Sequence, residues 1–240
     1  MITINYEGVG KFKFPQTWKE VTLDQFQKIN QLSIEDEIDF ELAMISILAG
    51  ISTENLLDLP VTEYKRLKEA CSFMNVNPDS RPKNIVEIDG VKYGYRNDVR
   101  KMKTSEYIDF DTMSASGVEN MHIIMAILYR PIVKVGNLEK DPFDYEIEPY
   151  NSKTVVKRAE IFKEKMTMDF VLSATFFLMA LVQSLSESTA ASLAEQEALE
   201  RKKKTILVME KWLKISKKDG DGTSLFTGLR DRIKRILKRG

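Results

Sequence analysis

One cysteine (Cys71) and one histidine (His122) stand in a chain of 240 residues, and that scarcity narrows the chemistry open to it. A lone thiol cannot build an intramolecular disulfide framework, so nothing in the chain calls for an oxidising compartment. With a single histidine and no cysteine cluster, a transition-metal site would have to rest on carboxylates alone. The glycine-rich phosphate loop is missing, as are the other motifs that carry enzyme mechanics. No internal repeat or low-complexity tract occurs. Met1–Tyr6 is β-like, with neither a basic n-region nor a long apolar stretch, so no secretory signal is expected. The longest uncharged run, Phe170–Ser186, is shorter than the roughly 20 apolar residues of a membrane span. It carries Ser173, Thr175, Gln183, Ser184 and Ser186. Phe170, Val171, Ala174, Phe177, Leu178, Leu181, Val182 and Leu185 recur at helical spacing, which predicts a buried core helix in a soluble, cytoplasmic protein.

What is present is ordinary in amount and unusual in distribution. Hydrophobic residues make up 43% and charged residues 30% of the chain, enough for a sizeable core. The formal net charge is zero, yet residues 1–150 hold 17 Lys/Arg against 25 Asp/Glu and residues 151–240 hold 19 against 11. The last forty residues alone hold 14 basic against 4 acidic side chains. An acidic body with a basic end points to action by contact with other macromolecules.

The pattern predicts a mainly α fold: a helical domain with one or two small β-hairpins, near 2–14 and 85–95, and a long C-terminal helical extension. Three regions are expected. They are an acidic, mostly helical body over 1–150, a helical hairpin or extension packing on it over 151–218, and a linker with a basic amphipathic helix over 219–240. Thr22-Leu23-Asp24-Gln25 has the form of a capping box, and Ser33-Ile34-Glu35-Asp36 marks a second helix start. That helix places Ile38, Leu42, Ile45 and Ala49 on one face with Phe40, Met44 and Ile47 beside it, a stripe wide enough to predict burial on more than one side. Gly50 stops it. A helical turn follows near Glu54–Leu57, then a helix with Tyr64, Leu67, Cys71 and Met74 on one face. Asp89-Gly90 between Ile85–Ile88 and Val91–Tyr95 is a strong hairpin signal. Helices are expected near Thr104–Phe110 and over Val118–Leu128, ended by Arg130-Pro131. Residues 132–151, with Gly136, Pro142 and Pro149, read as an ordered connector. Val155, Ala159, Phe162 and Met166 form the stripe of the next helix.

Cys71 reads as a small core hydrophobe and His122 as a structural or surface residue. Asp219, Asp221 and Thr223 resemble half of a calcium loop, but Ser224 and Arg230 occupy the glycine and glutamate positions, so a polar linker is the better reading. Asp109 with Asp111, or Glu146 with Glu148, are carboxylate pairs with no reactive group placed opposite them. No catalytic residue, cofactor or metal is therefore expected. The positive signal is the basic end. Leu225, Phe226, Leu229, Ile233, Ile236 and Leu237 share one helical face, with Arg230, Arg232, Lys234, Arg235, Lys238 and Arg239 around it. Docking to the acidic body and docking to a partner as helix in groove both fit this pattern. Leu229, Ile233 and Leu237 are the expected partner anchors, and Arg232 and Arg235 the steering charges. Membranes fit less well, and so does nucleic acid: the strip lacks aromatics for base stacking and the body repels phosphate.

Three phrases carry a family resemblance. They are Thr17–Phe26 followed by an acidic, apolar helix ending Ile45-Ser46-Ile47-Leu48-Ala49-Gly50-Ile51; Leu59-Pro60-Val61-Thr62-Glu63-Tyr64-Lys65-Arg66-Leu67; and Met121–Pro131 with Tyr145-Glu146-Ile147-Glu148-Pro149-Tyr150 beyond it. Together they resemble tail assembly chaperone-like proteins of tailed bacteriophages. The resemblance implies a non-enzymatic morphogenesis protein that holds tail or tape-measure subunits soluble in the host cytoplasm until the tail polymerises. Phage tail or other virion proteins are then the expected partners, with self-association also open. The segment Ser188–Gly240 lies outside the resemblance and leaves a second reading, a structural virion component such as a tail-hub or packaged cargo protein.

Overall fold

A computed structural model describes residues 1–75, 83–96, 101–114 and 117–175. Their contacts fall into two units: Met1–Pro78 with Thr167–Asp169, and Asp79–Met166 continued from Phe170.

In the first unit, alternating apolar residues close an antiparallel hairpin of β1 (Ile2–Tyr6) and β2 (Gly10–Phe14), with Ile4 opposite Phe12 and Ile2 opposite Phe14. Ile4, Phe12 and Phe14 turn inward. The expected capping box opens α1 (Leu23–Asn30): the Gln25 amide donates to Thr22 Oγ1 at 3.2 Å and the Thr22 amide to Gln25 Oε1 at 3.0 Å. Gln25 does more than cap. Its Nε2 donates to the carbonyls of Ile47 and Leu48, at 3.3 and 3.2 Å, in the last turn of α2 (Glu37–Ala49), where carbonyls lack helical partners. Gly50, in the left-handed region at φ 67°, ends α2. A short α3 (Thr53–Leu57) and α4 (Val61–Ala70) follow. A 3-10 turn over Cys71–Asn75 then brings Phe73 and Met74 inward. Trp18 meets Phe26 and Phe73 edge-on, at 6.3 and 5.3 Å between ring centres. Phe14, Leu23, Ile45 and Leu67 are fully buried around them. Each such side chain contributes on the order of 2 kcal/mol relative to exposure. Within this unit the Met168 amide also donates to the Val21 carbonyl at 2.8 Å.

The second unit joins helices to an antiparallel sheet. β3 (Ile85–Ile88) and β4 (Val91–Gly94) form the expected hairpin, its turn made by Asp89 and Gly90 at φ 52° and 77°. Positive φ at both central residues is the twist a two-residue hairpin needs, and Asp-Gly tolerates it. β5 (Arg130–Val135) and β6 (Tyr145–Ile147) extend the sheet in the order β3-β4-β5-β6. Helices α5 (Thr104–Ser114), α6 (Met121–Leu128) and α7 (Ser152–Lys165) complete the unit, and α6 packs along both of the others. Val155, Ala159, Phe162 and Met166 are buried as their spacing predicts, and Phe162 meets Tyr93 of β4 at 4.9 Å. Lys165, in the last turn of α7, pairs with Asp89 of the hairpin turn.

The expectation of a mainly α fold whose strands stop at hairpins is overturned. The described residues are 56% helix and 18% strand, in sheets of two and four strands. The error lies at residues 132–151, read as a connector. Pro131 does end α6, but Arg130 and Pro131 then pair with Gly94 and Tyr93, so the helix stop is also a strand start. A proline is tolerated there because its missing donor costs the ladder little near a strand end, and its carbonyl accepts from the Glu148 amide at 2.8 Å. The β5–β6 pairing is irregular between Ile132 and Lys134 and its strands are separated by nine residues, which removes the short-loop signal. The expected long C-terminal helical extension lies mostly outside the described residues and is not tested by them; the described chain ends in helical residues 168–175, with Phe170, Val171 and Ala174 buried.

Candidate functional site

Among the described residues, three places gather chemistry or open apolar surface. The first is interior. Arg130 and Glu106 are 1% and 3% exposed and form an ion pair, Nη2 to Oε1 at 2.9 Å. The Tyr150 ring sits 5.9 Å from the guanidinium carbon, and its hydroxyl donates to Asp109. Burial draws the Arg130 guanidinium below its ordinary pKa while Glu106 acts in the other direction. Burial, and then Asp109, push the Tyr150 phenol up. Arg158 serves α6: Nη1 donates to the Ala126 carbonyl at 2.8 Å and Nη2 to Thr154 Oγ1 at 3.0 Å, with Glu148 Oε2 at 3.4 Å. A cation on the last carbonyls of a helix satisfies groups that have no helical partner. Enclosed to this degree, Arg130 and Glu106 meet no solute; their work is to orient strands and helices.

The second place is a cleft of about 410 Å³ lined by Tyr95, Arg96, Lys101, Phe143, Tyr145, Glu146 and Ile147. Its walls are fixed. The Tyr145 hydroxyl donates to the carbonyls of Tyr95 at 2.8 Å and Asn84 at 3.2 Å, and Phe143 packs edge-on against Tyr95 at 5.5 Å. Arg96 Nη1 donates to the Lys101 carbonyl at 3.0 Å. Burial pushes the Tyr145 phenol up to about 12 and that of Tyr95 higher still, so neither supplies a base near neutrality. Glu146 is paired with Lys134 at 3.0 Å. The cleft has shape and two cations, but among the described residues no activated nucleophile or general base converges on it.

The third is the start of α2. Asp36 caps the helix, its Oδ1 accepting from the amides of Ile38 at 2.9 Å and Asp39 at 3.0 Å. Ile38 falls on the same helical face as Ile45 and Ala49, which are buried, yet Ile38 is 68% exposed and Leu42 only half-buried. The expectation that this stripe is buried on more than one side therefore holds only for its second half. Ile34, just ahead of the helix, is also exposed, and Glu35, Asp36, Glu37 and Asp39 surround the two isoleucines on the surface. An apolar strip that begins in solvent and runs into the core is a surface left for something to cover.

The residues singled out from sequence divide accordingly. Leu229, Ile233, Leu237, Arg232 and Arg235 lie outside the described residues, as do Asp219, Asp221 and Thr223. His122 is half-buried, and burial followed by Lys163 lowers its pKa, which favours the neutral ring. Cys71 is pushed up to about 12 by burial and by Glu41, the environment of an inert thiol. The suspected carboxylate pairs serve separate partners: Asp109 takes Tyr150, Glu146 takes Lys134 and Glu148 takes Arg158. Among the described residues, no cluster of three or more His, Cys, Asp or Glu is placed to hold a metal, and no helix is long and apolar enough to cross a membrane. The cleft was missed from sequence because its walls come from segments up to about fifty positions apart; its one local signal is the run Tyr93-Gly94-Tyr95-Arg96. No protein-family model, curated protein or solved structure matches the chain.

Proposed function

We propose that this chain is a non-enzymatic assembly protein of a tailed bacteriophage, chaperone-like, that binds tail or tape-measure subunits through apolar helical faces. The observation that carries the proposal is the uncovered start of α2, with Ile34 and Ile38 in solvent on a face that continues into the core. Such a strip matches what an assembly factor needs: apolar area that shields a subunit's polymerisation surface, and charge around it that sets register. The phage assignment itself rests on the sequence resemblance over residues 15–185. The basic segment, which lies outside that resemblance, is proposed as a second contact, with Leu229, Ile233 and Leu237 as anchors and Arg232 and Arg235 steering encounter.

Affinity capture of the tagged chain from infected cells tests this directly. The expected result is co-purification of a tail or tape-measure subunit, lost when Ile38→Asp is combined with Leu229→Asp and Ile233→Asp. Purified virions analysed by mass spectrometry should contain no stoichiometric amount of the chain. Its presence at defined copy number would replace the chaperone with a structural virion component. Failure to capture any virion protein would defeat both.

A further inference from the structure

Between Lys28 and Lys65 the chain contains no basic residue and eight acidic ones, four of them at Glu35, Asp36, Glu37 and Asp39. Those four are exposed around Ile34 and Ile38. The neighbouring acidic side chain Glu41 is already engaged, by Lys68 at 2.7 Å and by the Tyr64 hydroxyl. The α2 start is thus apolar at its centre and mainly negative at its rim, where Lys68 pairs with Glu41 and also faces Glu37. Its complement in chemistry is an amphipathic segment with an apolar face and a basic rim. The chain carries one: Ser224–Gly240 has six Lys/Arg against one Asp, arranged around Leu225, Leu229, Ile233, Ile236 and Leu237.

We infer that the acidic, apolar start of α2 seats this chain's own segment Ser224–Gly240 in cis. Reach does not limit it. The 48 residues between Thr175 and Ser224 span roughly 70 Å even at the helical rise of about 1.5 Å per residue, and more if extended. Tethering gives the segment an effective concentration of about millimolar, so modest contacts suffice and no foreign helix at cellular concentration competes without better complementarity. The same contact regulates the surface assigned above: Leu229, Ile233 and Leu237 are covered until a partner displaces them, so the chain does not bind itself or other polypeptides indiscriminately. This regulatory step rests on the reading of the basic segment as a partner-binding element; the contact itself does not.

The test uses the isolated full-length chain with a benzophenone-bearing residue in place of exposed Ile38, irradiated at dilute concentration and mapped by mass spectrometry. The expected adduct is monomeric and joins position 38 to a residue within 225–237. Adducts that bridge two chains, that map elsewhere, or that fail to form would overturn the inference. Charge supplies the second arm. Replacing Glu35, Glu37 and Asp39 together by Lys, with the capping Asp36 kept, should lower adduct yield about fivefold, as should Arg232→Glu with Arg235→Glu. Combining the two sets should restore it, and yields that ignore charge reversal would sink the proposal. Because no tail subunit is present, failure here is distinct from failure of the capture experiment.

Discussion

A guanidinium in the interior loses its hydration and must be matched there, and Arg130 is matched only in part. Glu106 Oε1 and the face of Tyr150 attend it, while Arg130 Nε and Nη1 and Glu106 Oε2 are buried with no hydrogen-bond partner among the described residues. A buried pair in that condition is worth little as a pair, yet removing one member leaves a charge uncompensated. Glu106→Ala is therefore expected to lower unfolding free energy by about 3–5 kcal/mol, whereas Glu106→Leu with Arg130→Met should be near neutral or more stable. Urea denaturation of the two variants beside the unsubstituted chain checks the sign. The ionisable groups add a pH dependence. The Cys71 thiol is raised from 9.0 to about 12, and the Tyr64 and Tyr145 phenols from 10.0 to about 12, burial being the first cause in each case. Groups held neutral by the fold stabilise it fully below their unfolded pKa and cease to do so as pH rises through the folded value. The urea midpoint should accordingly stay level from pH 7 to 9 and fall steeply toward pH 12. Tyr145→Phe should flatten part of that fall.

At the scale of elements, the strength of a local signal decided what could be foreseen. The β3–β4 hairpin was legible because Asp89-Gly90 sits between two adjacent runs and needs nothing from elsewhere in the chain. The capping box at Thr22 and the stop at Gly50 were legible for the same reason. The strands β5 and β6 were not, since their pairing is irregular and their loop is long, and their place in the sheet is set by contacts with β4. Tertiary contacts, not local propensity, decide such strands. Gly94 shows how tight that joint is: a Cβ added there would lie 2.5 Å from Tyr145 Cε2 and 2.8 Å from Cζ. The ring cannot swing aside cheaply, because its hydroxyl is held by the carbonyls of Tyr95 and Asn84. Gly94→Ala should cost about 1–3 kcal/mol, the range for overpacking a filled interior. Gly94→Ala with Tyr145→Ala should recover part of the clash while losing the phenol, so a non-additive double-mutant cycle identifies the contact. The apolar stripe of α2 departs from its expected burial for a different reason: periodicity gives the direction a side chain faces and not whether anything lies there. Ile38 faces the same way as Ile45 and meets solvent.

For the whole molecule, the relevant quantity is the distribution of charge, since the formal net charge is zero. The last forty residues carry 14 of the 36 basic side chains and 4 of the 36 acidic ones, so what precedes them holds 22 against 32. Opposite ends joined by a tether attract each other through exposed groups, and exposed ion pairs are individually worth only about 0.2–1 kcal/mol and are screened by salt. Two or three such pairs between the α2 rim and Ser224–Gly240 sum to about 1.4 kcal/mol, roughly a tenfold shift in the docked fraction. In the docked state proposed above, apolar contact of Ile38 with this segment would respond oppositely or not at all. Raising salt from about 20 mM to about 0.5 M, across which the screening length falls from above 20 Å to about 4 Å, should therefore loosen docking without abolishing it. Trypsin reads this out at Arg230, Arg232 and Arg235. Cleavage there should accelerate several-fold at the higher salt, after correction with a short control peptide, while cleavage at Lys28, in α1, changes little. The Glu35, Glu37 and Asp39 reversal should show the high-salt rate at every salt concentration. A variant carrying Ile38→Asp should keep the salt dependence but start from a faster rate, because it removes the apolar centre and leaves the acidic rim.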